Sequence, residues 1–244
     1  YRGVYGREVL DRATRYAAHV AGAFGDLSSR GHEPSAFVAE AILSCGGQIE
    51  PPAGYLQYAY QYARSAGAVC IADEVQIGFG RVGSHMWGFQ AHGVVPDIVT
   101  LGKPMGNGHP MGAVITTPDI AASFANGMEF FSTFGGNPVS AAIGLAVLDV
   151  LKKGKLQEHA AVVGGTLKAN LASLSMRHEV IGDVRGRGLF LGVEFVSDRA
   201  NKTPAPDIAD YIANRAKELG VLLSTDGPDR NVIKIKPPMT FSQH

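Results

Sequence analysis

The chain has 244 residues, of which 45% are hydrophobic and 18% charged, and its 22 lysine and arginine residues balance its 22 aspartate and glutamate residues. A neutral chain without a basic cluster lacks the positive face that nucleic acid or an anionic membrane requires, so neither is expected as a partner. The longest uncharged stretch, between Glu129 and Asp149, contains Ser, Thr, Asn, Gly and Pro and does not predict a membrane span.

Cysteine and histidine usage bears on metal binding and on the compartment. Cys45 and Cys70 are too few for a disulfide framework or a metal cage, and the histidines fall into no metal-ligand spacing, so no metal site is predicted. Two isolated cysteines favour a reducing compartment, the cytoplasm. The chain begins without Met in a polar turn, which indicates a piece of a longer protein and leaves the mitochondrial matrix open.

The first predicted elements form a strand-helix-strand unit. Apolar runs at 36–40 (AFVAE) and 68–73 (AVCIAD) predict strands, and 55–66 has helix length and is closed by Gly67. This order is typical of a β-α-β unit with parallel strands. Because the strands are continuously apolar, the sheet is expected to be covered on both faces.

Two more strands are predicted at 97–101 (DIVTL) and 111–116 (MGAVIT). The loop 102–110 between them is too short to cross over a sheet, so these strands are expected to be antiparallel. A long helix is predicted at 138–152, with proline in its first turn and apolar residues at helical spacing.

The last third of the chain has shorter elements. Residues 184–195 alternate like a strand pair or a bulged strand, 207–219 predicts an amphipathic helix closed by Gly220, and 221–223 and 232–235 predict short strands.

These elements predict an α/β protein of two domains. The first, residues 1–151, has a mainly parallel sheet, and the second, residues 152–244, is a small α+β domain.

Asp73 and Lys103 follow two neighbouring predicted strands, where open α/β sheets bind ligands. Either residue alone is more typical of a solvated loop. Together they suit a Schiff-base site, in which a lysine in a desolvated pocket attacks an aldehyde and a carboxylate holds a pyridinium proton.

A literal G-x-G-x-x-G stretch at 78–83 raises a competing hypothesis, a nicotinamide dinucleotide site. That fingerprint must join a strand directly to a helix. Here 73–76 intervene after the strand, and 84–90 have no helical periodicity, so the dinucleotide interpretation is disfavoured.

Three segments in order resemble the class III aminotransferases, the fold type I enzymes that use pyridoxal phosphate. They are IADEVQIGFGRVG at 71–83, VPDIVTLGKPMGNGHPMGAV at 95–114 and FFSTFGGNPVSAAIGLAVL at 130–148. The resemblance covers essentially the whole chain. It implies the large domain of that fold followed by a small C-terminal domain, with pyridoxal 5'-phosphate as the cofactor.

The resemblance also implies the roles of five residues. Asp73 contacts the pyridine nitrogen, Val75 packs on one face of the ring, and Gln76 hydrogen-bonds the phenolic oxygen. Lys103 forms the Schiff base with the cofactor. Thr133 binds the cofactor phosphate of the neighbouring subunit, which implies a homodimer.

Two positions depart from the pattern of family members that act on amino acids and keto acids. Those members have an E-P-x-x-G-E-G-G stretch and, near the C-terminus, an R-[IF]-x-P-P-L stretch whose arginine grips the carboxylate. Here Cys45 stands in place of the second glutamate and Lys234 in place of the arginine. Lysine lacks the planar fork that binds a carboxylate through two parallel hydrogen bonds, and we assign both positions to substrate binding.

The preferred reaction is therefore a phospho-lyase reaction on a small amine. The segments YRGVYGRE, AEAILSCGGQIEPPAGY, LGKPMGNGHP and VIKIKPPM resemble the branch that acts on phosphoethanolamine or 5-phosphohydroxylysine. The alternative is an ω-amino or amino-acid transaminase with an α-keto acid acceptor.

A third reading is a non-catalytic or incomplete piece, since the family's chain begins well before Tyr1. Arg187 has no assigned role.

Overall fold

The computed structural model describes residues 3–242, so Tyr1 and Arg2 of the YRGVYGRE segment, and the last two residues, lie outside it. The helices and strands of this part follow one another as α1 (Arg12–Ser29), β1 (Ala36–Ala39), α2 (Tyr55–Ser65), β2 (Val69–Asp73), β3 (Ile98–Leu101), β4 (Ala113–Thr116), α3 (Pro118–Phe124), α4 (Pro138–Lys153), α5 (Leu156–Arg177), β5 (Ile181–Arg187), β6 (Phe190–Asp198), β7 (Thr203–Pro204), α6 (Pro206–Glu218), β8 (Ser224–Asp226) and β9 (Val232–Ile235). None of the described helices is long and apolar enough to cross a lipid bilayer.

The first sheet has the strand order β1-β2-β3-β4. The first three strands are parallel and β4 runs antiparallel to β3, which confirms the predicted directions. In the register of β2 with β3, Asp73 lies opposite Thr100. The carboxyl ends of these two strands therefore lie side by side.

The expectation that this sheet is covered on both faces is wrong for the chain as it stands. Helix α2 packs against β1 and β2, and on β2 the buried side chains are Cys70 and Ala72. On β1 and β4, Val38, Val114 and Ile115 are more than half exposed. The apolar strand sequences indicate a covered sheet, but the described residues supply a cover on one face only.

The second sheet has the order β5-β6-β9-β8, with β7 added to β6, and its strand pairs are antiparallel. The predicted strand pair at 184–195 is the β5-β6 hairpin. Its core joins Val193, Phe195 and Ile233 to side chains of α5 and α6.

The strand predicted at 221–223 forms three residues later, at β8. Ser224 pairs with Lys234, so an earlier residue such as Val221 would have to pair with Pro237. Proline has no N–H to donate to a ladder, so the pairing cannot extend to Val221; it ends at Ser224.

The glycine-rich stretch at 78–83 is a packing element. A five-residue 3-10 helix at Gly88–His92 follows it, and no α-helix does. A Cβ atom on Gly80 would lie 3.0 Å from Gln157, and one on Gly83 would lie 2.6 Å from Ala161. These glycines let the loop approach the start of α5, and the stretch does not open a helix as a dinucleotide site requires.

Candidate active site

Asp73 occupies the carboxyl end of β2 with one oxygen in use. Its Oδ1 accepts hydrogen bonds from the backbone N–H of Val75 at 3.0 Å and from the Thr100 hydroxyl at 3.4 Å. No described residue donates to Oδ2. Asp73 is half-buried, and the free oxygen is able to accept a hydrogen bond from a ligand.

Lys103 follows β3 by two residues and is next to the end of β2. A Cβ atom on Gly102 would lie 3.1 Å from Val75 Cγ1, so the backbone that leads into Lys103 touches the Val75 side chain. Among the described residues, the Lys103 ammonium has neither a hydrogen bond nor an ion pair. Lys103 is exposed, so the desolvated pocket expected for it is not complete within residues 3–242.

A cavity of about 700 Å³ lies beside these strand ends. Three cationic side chains line it, those of Arg81, Lys103 and Lys236, together with Gln76. Helix α4 supplies an apolar wall. Within the described part of the chain, no carboxylate lines this cavity.

Gln76 connects the two sides of the cavity. Its amide nitrogen donates to the Ser44 hydroxyl at 2.8 Å and lies 3.7 Å from the Cys45 sulfur, and its amide oxygen accepts from Lys236 Nζ at 3.2 Å. The Ser44 hydroxyl in turn donates to the carboxylate of Glu40. A polar chain therefore runs from the end of β1 to the residue that follows β9.

Arg81 holds the segment that carries Lys236. Its Nη1 donates to the carbonyl oxygen of Leu189 at 3.0 Å and to that of Pro237 at 2.8 Å. Burial lowers the pKa of Arg81 to about 10. Through Nη1 the guanidinium positions the end of β9 against the glycine-rich loop.

Lys236 lies near three other positively charged side chains. Its pKa is lowered, first by burial and then by the charges of Arg81, Lys234 and Lys103. Lys236 is not among the site residues predicted from the sequence. The available signal was its spacing of two from Lys234, which places both lysines on one side of an extended segment.

Lys234 and Cys45, the predicted substrate residues, lie in different surroundings. Lys234 Nζ lies 3.0 Å from a carboxylate oxygen of Asp226, which also accepts from Gln48 at 2.9 Å, and Lys234 does not line the cavity. Cys45 is exposed and adjoins Gln76. The substrate-binding roles of both remain predictions.

Thr133 and Arg187 lie away from the cavity. Thr133 is exposed in the segment between α3 and α4. Arg187 Nε lies 3.2 Å from a carboxylate oxygen of Glu50, and both residues line a different pocket. Gln76 and Lys103 line the cavity, Asp73 and Val75 lie at the adjoining end of β2 without lining it, and Thr133 does not line it either.

Glu74 is a buried residue that the sequence analysis did not single out. Its two oxygens accept from the backbone N–H groups of Gly88 at 2.8 Å and Phe89 at 2.9 Å. Desolvation outweighs these donors and raises the pKa of Glu74 to about 7. The residue anchors the loop after Asp73 to the short helix at 88–92.

A model of the family described as aminotransferase class-III matches residues 6–244. The protein named alanine–glyoxylate aminotransferase 2-like from Drosophila melanogaster is 55% identical over 88% of this chain and 44% of its own length. Ethanolamine-phosphate phospho-lyase homolog 1 from Caenorhabditis elegans is 43% identical over 94% of this chain and 50% of its own length. The chain thus spans about half the length of these relatives.

A solved structure shares the fold closely. It is described as a phospholyase from Arthrobacter in complex with phosphoethanolamine, and it superposes with a TM-score of 0.94 at 40% sequence identity. The match covers 99% of this chain and 58% of the other.

Proposed function

Because the chain belongs to the class III aminotransferases, a family of pyridoxal phosphate-dependent enzymes, we propose that it is part of a phospho-lyase that acts on a small phosphorylated amine. The proposal includes the cofactor and the positions that hold it.

The side chains at the strand ends fit pyridoxal phosphate. Asp73 keeps one carboxylate oxygen free for a ring N–H, and Lys103 offers an amine with no competing partner among the described residues. Val75 lies between them against Gly102, at the position proposed to support the ring face. When bound, the cofactor supplies an electron-accepting ring that stabilises negative charge on the substrate carbon.

Each proposed role comes from the family resemblance and is consistent with the chemistry of the side chain. The Asp73 carboxylate holds the proton on the ring nitrogen, because the opposite charges attract one another. Lys103 moves the proton at the substrate carbon that bears the amine. Gln76 supplies the hydrogen bond to the phenolic oxygen.

The pairing of Lys234 with Asp226 is the observation that carries the choice of reaction. A transaminase must bind a keto acid in its second half-reaction, commonly through a bidentate arginine. Here the matching residue is a lysine whose charge is already paired, and the matching glutamate is Cys45. Elimination needs no keto acid.

The proposed reaction balances without an oxidant or an acceptor. Phosphoethanolamine and water give acetaldehyde, ammonia and inorganic phosphate. The C–H bond beside the nitrogen and the C–O bond to phosphate break, which leaves an enamine; its terminal carbon takes up a proton, and water then breaks the C–N bond of the resulting imine. The relative described as a phospho-lyase homolog and the solved phospholyase support this substrate class.

A transaminase is the second candidate, with an ω-amine or amino acid as the donor and an α-keto acid as the acceptor. The name of the Drosophila relative, an aminotransferase, favours it. A non-catalytic piece is the third reading.

Thr133 and the subunit arrangement complete the proposal. We propose a homodimer in which Thr133 reaches the neighbouring subunit's cofactor phosphate. In its support, Phe130, Phe131 and Phe134 around Thr133 are 74–82% exposed, an apolar patch of the kind that interfaces cover.

The two free thiols fit the cytoplasm or the mitochondrial matrix.

Product analysis of the full-length protein tests the reaction. With phosphoethanolamine and no keto acid, we expect inorganic phosphate and acetaldehyde in equal amounts, and we expect Lys103→Ala to abolish both. Products that form only when a keto acid is added would indicate the transaminase. No product under either condition, from a protein that retains cofactor, would favour the non-catalytic reading.

A further inference from the structure

We propose that Lys236 binds the phosphate group of the substrate and is the residue that selects a phosphorylated amine. The proposal rests on the proposed function, which supplies the substrate class, and it moves the anion-binding role from Lys234 to a residue two positions later.

The charges of the cavity leave Lys236 as the available cation. Of the three cations that line it, Lys103 is assigned to the cofactor, and Arg81 is held through Nη1 by two backbone carbonyls. Lys236 donates to one neutral amide oxygen of Gln76 and forms no ion pair with a described residue, so its ammonium keeps donors for an anion.

Lys234 cannot take this role in the observed geometry. Its ammonium lies 3.0 Å from Asp226, and both side chains are mostly shielded from solvent. Freeing Lys234 would leave the Asp226 carboxylate without its cation, which is costly for a shielded charge. Lys236 has no ion-pair partner among the described residues, so binding an anion there leaves no carboxylate unpaired.

The contacts of Lys236 also fix where its charge points. Gln76 receives the lysine on one side and donates to Ser44 on the other, so the ammonium is held at the Gln76 end of the cavity. Arg81 holds the carbonyl of Pro237, the next residue along the chain. The ammonium is thus held in the same cavity as Arg81, where an incoming phosphate would reduce the repulsion between these two positive charges.

Titration of the full-length holoenzyme with inorganic phosphate, followed by calorimetry, tests the assignment. The cofactor fills its own phosphate subsite in the holoenzyme, so the titration reports on the remaining cation site. We expect Lys236→Ala to weaken phosphate binding about ten-fold or more, the loss of a charge-assisted hydrogen bond. Lys236→Arg, which keeps the charge, should restore most of the affinity.

Two other lysine variants separate this site from general charge effects. Lys152→Ala removes an exposed charge in the last turn of α4 and should leave the phosphate affinity unchanged. Lys234→Ala should weaken binding less than Lys236→Ala does. Unchanged phosphate binding in Lys236→Ala, or an equal or larger loss in Lys234→Ala, would overturn the proposal.

The phosphate titration tests the role of Lys236, and the product assay tests the reaction, so one proposal can be overturned without the other. Phosphate binding needs no turnover, so it can depend on Lys236 even in an enzyme that proves to be a transaminase. In an active phospho-lyase, Lys236→Ala should raise the KM for phosphoethanolamine more than it lowers kcat. The visible absorbance of bound cofactor shows that each variant retains its fold.

Discussion

Glu74 is the residue next to the proposed ring-binding aspartate, and its side chain is fully buried. A buried carboxylate is costly unless it is paired, and here two backbone N–H groups are its hydrogen-bond donors. Because its pKa is raised from 4.5 to about 7, the folded state binds a proton there that the unfolded state releases. Between pH 4.5 and about 7, the Glu74 carboxyl therefore makes the folded protein less stable as the pH rises.

Glu74→Gln should therefore remove part of the pH dependence of stability. Between pH 4.5 and 7 the free energy of unfolding of the wild type should fall relative to the variant by up to about 1.4 kcal/mol per pH unit. Urea unfolding at several pH values measures the difference. Glu33→Gln, at an exposed position, is the control, and equal slopes in the wild type and Glu74→Gln would contradict the assignment.

At the residue scale the sequence was sufficient for some site positions and insufficient for others. The positions of Asp73 and Lys103 at strand ends follow from apolar runs that end at a charge, which is a local pattern. The choice between Lys234 and Lys236 depends on Asp226, a residue on another strand. No local pattern encodes that ion pair.

At the scale of elements, α5 shows what glycine does in a helix that must pack closely. A Cβ atom on Gly164 would lie 2.1 Å from the carbonyl oxygen of Gly188, in the turn between β5 and β6. The next residue, Gly165, has open space around its Cα. Two adjacent glycines in one helix therefore carry different constraints.

Alanine substitutions at these two glycines should have opposite effects. Gly164→Ala should lower the free energy of unfolding by about 1–3 kcal/mol, because α5 must move away from the turn. Gly165→Ala should raise it by about 0.4–1 kcal/mol, since alanine reduces the freedom of the unfolded chain. Chemical unfolding measures both, and a loss at Gly165 as large as at Gly164 would contradict the packing.

Most elements near the site could be predicted from the sequence, because strands β1 to β4 and helices α2, α4 and α6 carry clear apolar periodicity. Helices α1 and α5 are not among the elements predicted from the sequence. In α5 the pair Gly164 and Gly165 interrupts the periodicity, and only contacts with the β5-β6 turn explain it. The position of β8 depends on its pairing with β9, and the prolines that follow β9 bound that pairing, which the local pattern at 221–223 does not show.

At the scale of the whole molecule, a buried arginine ties the second sheet to the loop before α2. Arg185 forms ion pairs with Asp183 and Glu194, and its Nε donates to the Gly47 carbonyl at 2.8 Å. Gly47 lies in the segment that carries Ser44 and Cys45. The connection fixes the second sheet relative to the cavity.

The division into two domains remains a proposal, and the connection between α4 and α5 bears on where the boundary lies. Helix α4 ends at Lys153, and α5 begins at Leu156 after Lys155 in a left-handed conformation. A boundary between these helices lies within a few residues of the predicted Leu151. The cavity has lining residues from both sides of it.

The central claim is that the ends of β2 and β3 hold one cofactor between Asp73 and Lys103. Borohydride reduction of the full-length protein with pyridoxal phosphate, followed by peptide mass spectrometry, tests it most directly. We predict a pyridoxyl group on the peptide that contains Lys103, and its loss in Lys103→Ala. A modified Lys236, or no stable modification at any lysine, would contradict the account.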